Sequence, residues 1–262
     1  MRGRSGEETE VEGRAALVRA PGAEAVREVL RNLAATGEAF RLGIIGTTGT
    51  GKTYAARRVI EAYASASRGL IVVVDAKAER RFDDVLPVGA VAVRESIAHL
   101  NGLPLHPGVR MLIIRPRMFE GGRVDVEEVA RYCWRLAGRH TPTLLVNDEL
   151  VPHAAEFSQF LGGKKSDIKR CFTEGRAHGL SQLWGTQDLT DVPVAVVAQS
   201  SSVWCFHMAG TGLEILRRRN YLGGVPDGLI EHLPDDESPR DERGDFVRLR
   251  SGKAWDGKIY RF

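Results

Sequence analysis

The sequence predicts an α/β fold with a mainly parallel central sheet and helices on both of its faces. Three observations carry that prediction. Short, unbroken apolar runs recur along the chain, as in Leu70-Ile71-Val72-Val73-Val74 and Thr143-Leu144-Leu145-Val146, the pattern of strands covered on both sides. Segments with apolar residues at helical spacing alternate with those runs. A glycine-rich turn, Gly46-Thr47-Thr48-Gly49-Thr50-Gly51-Lys52-Thr53, joins one such run to one such segment, the strand–loop–helix setting that a phosphate-binding loop requires.

Composition narrows the class further. The chain has 262 residues, 43% hydrophobic and 27% charged, with a net charge of +3. That length suffices for one large domain with a buried core. The small net charge means that a nucleic-acid surface would have to be local. No apolar run approaches the length of a membrane span, and the charged N-terminus lacks the apolar stretch of a signal peptide. Cys133, Cys171 and Cys205 are odd in number and far apart, which fits neither a metal site nor a disulfide framework. The expected location is therefore intracellular.

Residues 1–20, rich in Gly, Arg and Glu up to Gly13, are expected to form a flexible arm, and residues 21–262 a single domain. Ala23 to Leu33 shows helical spacing at Val26, Val29, Leu30 and Leu33. The strand before the loop and a helix from Lys52 to Ala66 come next, then the strand Leu70 to Val74. Val88 to Val93 reads as a strand, Arg94 to Leu100 as a short helix, and Val109 to Ile114 as a strand. Asp125 can cap a helix reaching Ala137. The strand from Thr143 ends at Asn147-Asp148-Glu149. Ser166 to His178 reads as a helix stopped by Gly179, and Leu180 to Thr186 as the strand that Gln187 closes. A short helix at Val194 to Ala198, a strand at Ser202 to His207 and two small helices at Leu213 to Asn220 and Asp227 to His232 complete the core. Asp245 to Arg250 and Lys253 to Tyr260, joined near Ser251-Gly252, read as a C-terminal β-hairpin.

Ligands of such sheets gather at the carboxyl ends of the strands, and the candidate site residues lie there. The loop fits G-x-x-x-x-G-K-[ST], also called Walker A, so its N–H groups and the helix N-terminus suit a polyphosphate. Lys52 can reach the terminal phosphates, and the Thr53 hydroxyl can ligate Mg²⁺. Asp148, in the Walker B position, can hold the same metal shell, and Glu149 can polarise an attacking water. The gap between Lys52 and Asp148 accommodates extra strands, as in ATP-hydrolysing ring motors. Gln187 can bond both the γ-phosphate and the water. Asp75 closes its strand either beside the site or as a cap. Arg176 sits at a helix end, where it either offsets the dipole or serves as an arginine finger for a neighbouring subunit. Lys164 and Lys165, with Lys169 and Arg170, form either a solvated run or a contact to the DNA backbone.

These residues resemble the FtsK/HerA superfamily of DNA-pumping P-loop ATPases, and most closely its genome-packaging members from membrane-containing, double-jelly-roll viruses. The resemblance rests on the strand ending in Asp75-Ala76-Lys77, on Arg176-Ala177-His178-Gly179-Leu180-Ser181 leading to Gly185-Thr186-Gln187, and on Asp191-Val192-Pro193 followed by Gln199-Ser200 and the strand Val203 to Phe206. It spans about Arg41 to Val247. Asn147 departs from the family pattern, which usually has an apolar residue before the aspartate. The resemblance implies ATP and Mg²⁺ as cofactors and double-stranded DNA as the partner. It also implies a homo-oligomeric ring, typically a hexamer, and docking to a capsid vertex or virion membrane protein, in the host cytoplasm or the virion. A cellular HerA-like or conjugation-type motor shares this chemistry. A nucleotide-dependent assembly switch that does not move DNA would share only the nucleotide site.

Overall fold

The computed structural model describes residues 18–75, 79–95, 107–115, 126–137, 141–150, 167–190, 192–218, 220–240, 243–250 and 253–262. Their strands, in chain order, are β1 (Val18–Pro21), β2 (Arg41–Ile45), β3 (Leu70–Val74), β4 (Val91–Arg94), β5 (Met111–Ile114), β6 (Thr143–Asn147), β7 (Leu180–Thr186), β8 (Ser202–Cys205), β9 (Asp245–Leu249) and β10 (Lys258–Arg261). The helices are α1 (Gly22–Thr36), α2 (Lys52–Ala66), α3 (Val126–Ala137), α4 (Asp167–Glu174), α5 (Val194–Gln199) and α6 (Thr211–Arg218).

Among the described residues one ten-stranded sheet forms, in the order β1-β10-β9-β8-β2-β7-β6-β3-β5-β4. Every pairing from β8 to β4 is parallel, and β9 alone runs against its neighbours. Such a sheet has to be covered on both faces, and the strand residues divide accordingly. Ile71 and Val73 of β3 pack with Val26 and Leu30 of α1 and with Val59, Ile60 and Tyr63 of α2. Leu70, Val72 and Val74 of the same strand pack with Val129 and Cys133 of α3 and Ile168 and Phe172 of α4. The period-two alternation of a strand thus explains why β3 is apolar throughout and buried at all five positions.

The order within the sheet positions the site. The acidic strand β6 is not next to the phosphate-loop strand β2, because β7 lies between them. The carboxyl ends of β2, β7 and β6 therefore lie side by side. In sequence, β3, β4 and β5 fall between the two anchors, as expected.

Several local readings are corrected. Val18–Pro21, whose first three residues fall in the stretch expected as an arm, pairs in parallel with β10 from Val18↔Lys258 to Pro21↔Arg261. A four-residue edge strand has no periodicity to reveal it, and its partner is 240 residues away in the chain by Val18↔Lys258. The strand expected from Val88 begins at Val91, because Pro87 to Ala90 forms a turn closed by Ala90 N–H donating to Pro87 O at 3.0 Å. Between Pro226 and Pro234 only a 3-10 turn, Ile230–His232, replaces the expected helix. The helix expected to run to His178 changes to a 3-10 turn at Gly175–His178. The expected helix at Arg94 to Leu100 lies largely outside the described residues, and Arg94 itself ends β4. The C-terminal hairpin is present as the antiparallel pair β9–β10, with Tyr260 opposite Phe246, but its second strand begins at Lys258 rather than at Lys253. No helix among the described residues is long and apolar enough to cross a membrane.

Candidate functional site

The phosphate loop is built by backbone constraints that its sequence anticipates. Gly51 has φ 104° and caps α2, and a Cβ there would lie 3.2 Å from Gly244 Cα; an L side chain resists both the conformation and the contact. The loop is anchored to the end of β8 by Thr47 N–H donating to His207 O at 2.9 Å. Thr50, fully buried, donates to Thr47 O at 2.9 Å. The Lys52 ammonium donates to the same carbonyl at 2.6 Å, so it lies along the loop's concave side. The N-terminus of the fifteen-residue helix α2 opens onto that concavity, and the N–H groups of a helix N-terminus favour an anion there.

The acidic pair follows β6. Leu145 packs on the α3 face and Val146 on the α2 face. Alternation puts Asn147 on Leu145's face and Asp148 on the face of the phosphate loop. Asn147 is buried, and its Oδ1 has no hydrogen-bond partner among the described residues. Leu150 N–H donates to Gly185 O at 2.8 Å, so the acidic turn is fastened to β7. A Cβ on Gly185 would meet Asp148 O at 2.5 Å; only glycine permits this approach.

Asp148 and Glu149 share a cavity of about 250 Å³ with Lys52, Thr53, Arg81 and Gln187. The Asp148 carboxyl is pushed up from 3.8 to about 6, chiefly by desolvation and further by Glu149 and Asp75, with Arg81 and Lys52 opposing. No hydrogen bond reaches this carboxylate from the described residues. An acid held against its own preference, across a cavity from a threonine hydroxyl, is the donor chemistry a hard divalent cation takes. Asp148 and Thr53 therefore fit Mg²⁺.

Gln187 lies between the two anchors because β7 does. Its Oε1 accepts from the Thr48 hydroxyl at 2.7 Å, and its Nε2 donates to Glu149 Oε2 at 3.0 Å. The Gln187 backbone N–H adds a 3.4 Å bond to Glu149 Oε1. Both ends of the amide are thus engaged, and a single chain of hydrogen bonds runs from the phosphate loop to the acidic pair.

The structure does not bring every candidate together. Arg176 lies in the 3-10 turn before β7, at the amino end of the sheet, and pairs with Glu38 before β2. The five-residue β2 separates that end from the loop by about 17 Å at ~3.3 Å per residue. Within one chain Arg176 does not join the cavity. Asp75 is a cap: buried at 5% exposure, it accepts from the N–H groups of Glu79 and Arg80 and pairs with Arg115 at 2.7 Å. Lys164 and Lys165 lie outside the described residues.

Arg81 enters the cleft and Asp236 touches the phosphate loop, and the sequence reading singled out neither. Arg81 follows the turn that Asp75 caps. Asp236, in the stretch Pro234 to Arg243 expected only as a charged loop, approaches the phosphate loop closely enough that a Cβ on Gly49 would meet its Cβ at 2.5 Å. The signal for Arg81 was available as Glu79-Arg80-Arg81 just past a buried strand ending in aspartate. Asp236 left none, because the contact is made across 187 residues, from Gly49 to Asp236.

A phosphate loop, an acidic pair and an intervening strand ending in glutamine stand together on a P-loop NTPase fold. Comparison with solved structures agrees on the fold, which this chain shares with NTPases and ATPases of known structure. The genome-packaging NTPase B204 of Sulfolobus turreted icosahedral virus 2, in complex with ATP-γS, is similar at TM-score 0.58 and 14% identity, over 82% of this chain and 93% of that one. B204 from Sulfolobus turreted icosahedral virus, described as a DNA-packaging ATPase, matches at TM-score 0.52 and 14% identity, over 82% and 93%. The conjugation coupling protein TcpA of pCW3, in monomer form with ATPγS, matches at TM-score 0.56 and 13% identity, over 86% of this chain and 60% of that one. No protein-family model and no curated protein sequence matches this chain.

Proposed function

We propose that this chain is an ATPase that drives double-stranded DNA through a homo-oligomeric ring, most specifically a viral genome-packaging ATPase. The observation that carries the reading is the Thr48–Gln187–Glu149 chain at 2.7 and 3.0 Å, which links the phosphate-loop and the acidic pair through one strand-end amide. Such a link lets the occupant of the loop govern the group that would activate water. The likeness to B204, named as a genome-packaging NTPase, supports the packaging role. The likeness to TcpA favours a second reading with the same chemistry, a conjugation-type motor.

In this account the loop N–H groups and Lys52 bind and orient the polyphosphate. Asp148 and Thr53 would hold Mg²⁺, which when bound offsets phosphate charge. Glu149 accepts the proton of the attacking water, which requires it to turn from Gln187 toward the water. The second N–H of the Gln187 amide is left to donate to a γ-phosphate, so Gln187 would join the nucleotide to Thr48 and Glu149. Arg176, remote from its own cavity, would serve the cavity of the next subunit, where charge gathers on the transferring phosphate. Lys164 and Lys165 would grip the DNA backbone without reading sequence, and their loss should flatten the salt dependence of DNA binding. A capsid vertex or virion membrane protein is the proposed docking partner.

The test is displacement of a third strand from a DNA triplex in the presence of ATP. A translocase strips the strand at a rate that follows ATP turnover. Turnover without stripping, at low salt and saturating DNA, would leave a nucleotide switch instead.

A further inference from the structure

The segment after β3 is fastened at several points around one side chain. Asp75 holds the N–H groups of Glu79 and Arg80 at 3.2 and 3.3 Å, and Arg80 turns back with φ 57°. Arg115, at the end of β5, pairs with Asp75 and also with Asp83, closing the segment from the sheet side. From the helix side, Arg57 of α2 donates to Arg81 O and pairs with Asp84 at 2.7 Å. Between these clamps Arg81 extends into the cavity that Lys52, Thr53, Asp148 and Glu149 line. Its Nη1 donates to Thr53 Oγ1 at 3.1 Å, and its Nε pairs with Glu79.

A plain surface ion pair with Glu79 would not need this scaffold, nor would it reach Thr53. The Thr53 hydroxyl would hold the motif's metal, which would offset charge on the terminal phosphates. A guanidinium beside that hydroxyl therefore stands next to the terminal phosphates. It cannot stay there when a divalent cation approaches, because like charges repel at this range. The anion within the smallest movement is the phosphate itself, to which a guanidinium can present two parallel donors.

We infer that Arg81 is a second phosphate-binding cation of this site, supplied by the same chain, which leaves Thr53 to engage the γ-phosphate and so distinguishes a nucleoside triphosphate from a diphosphate. The inference rests on the nucleotide-binding reading above. It gives the cavity two cations with separate tasks: Lys52 holds any polyphosphate, and Arg81 reads its third phosphate. The clamps from Asp75, Arg115 and Arg57 are then the positioning residues that keep its backbone fixed while the side chain moves.

The test is calorimetric titration of ATPγS and of ADP, with Mg²⁺, into the wild-type chain and into Arg81→Ala, Arg81→Lys and Lys52→Ala. Arg81→Ala should weaken ATPγS about ten- to hundredfold, the range of one charge-assisted hydrogen bond, while ADP binding changes less than about twofold. Arg81→Lys should recover part of the loss, and Lys52→Ala should weaken both nucleotides. Equal weakening of ATPγS and ADP in Arg81→Ala would reduce the residue to a structural part of the cleft and overturn the inference. So would an unchanged ATPγS affinity. If the wild-type chain binds neither nucleotide, the nucleotide-binding reading fails and takes this inference with it. Wild-type binding with an unaltered Arg81→Ala ratio overturns the inference alone.

Discussion

Replacing Asp148 by Asn should stabilise the nucleotide-free protein at pH 8. The carboxyl ionises at 3.8 in an ordinary setting and at about 6 in the fold, because burial and the neighbouring Glu149 disfavour its charge. A group whose folded value is raised stabilises the protein while it is protonated, and that contribution is lost as pH rises through about 6. The difference, at ~1.4 kcal/mol for each pH unit, is about 3 kcal/mol. Asp148 is only partly buried, so solvent screening brings the usable figure to about 2 kcal/mol. Asn keeps the shape and removes the charge. For a domain of this size each kcal/mol moves Tm by about 2–4 °C, so Asp148→Asn should melt about 4–8 °C higher at pH 8. The assay is thermal unfolding in EDTA without nucleotide, from pH 4 to pH 8. The gap should close as pH falls through about 6 toward 4. Mg²⁺ with ADP should then raise Tm of the wild type more than that of the variant. A variant equally or less stable at pH 8, or a gap indifferent to pH, would refute the reasoning.

Gly185→Ala should lower stability by about 1–3 kcal/mol through the overpacking at Asp148 O and should weaken Mg²⁺-dependent nucleotide binding more than metal-free binding; chemical denaturation and a titration with and without Mg²⁺ check both. Thr48→Val should leave the fold intact and release one end of the Gln187 amide, raising the Mg·ATP concentration dependence of turnover without abolishing it; a variant as inactive as one lacking Lys52 would show that Thr48 acts in the chemistry instead. Arg176→Ala should lower turnover by ~10³-fold with nucleotide binding retained, and mixing it with Glu149→Gln should restore activity at interfaces that pair an intact Glu149 with a neighbour's intact Arg176. If differently tagged chains exchange and no activity returns, Arg176 does not act across the interface and its role is confined to pairing Glu38.

The sequence made the interior of this fold readable where local pattern and burial coincide. β3, β7 and α2 begin and end where their sequence patterns and flanking glycines predicted, and β3 is apolar throughout because it is covered on both faces. The phosphate loop was legible because its backbone conformation requires particular residues at particular spacing. What stayed hidden was set by distance in the chain. The edge strand β1 takes its hydrogen bonds from β10, Asp236 approaches Gly49, and Gln187 meets Thr48 only because β7 enters the sheet between β2 and β6. Asp75 shows the same limit from the other side. A carboxylate at a strand end reads equally as ligand or cap, and the choice was made by Arg115, forty residues on.

Steady-state phosphate release from Mg·ATP, measured with and without double-stranded DNA for the wild type and for Glu149→Gln, tests the central claim most directly. The account predicts that DNA stimulates the wild type. It predicts that Glu149→Gln binds ATPγS as tightly as the wild type yet releases almost no phosphate under either condition, because the amide keeps the side chain's shape and one of its two bonds from Gln187 but cannot take the water's proton. Hydrolysis by Glu149→Gln at the wild-type rate, or wild-type turnover indifferent to DNA, would contradict it.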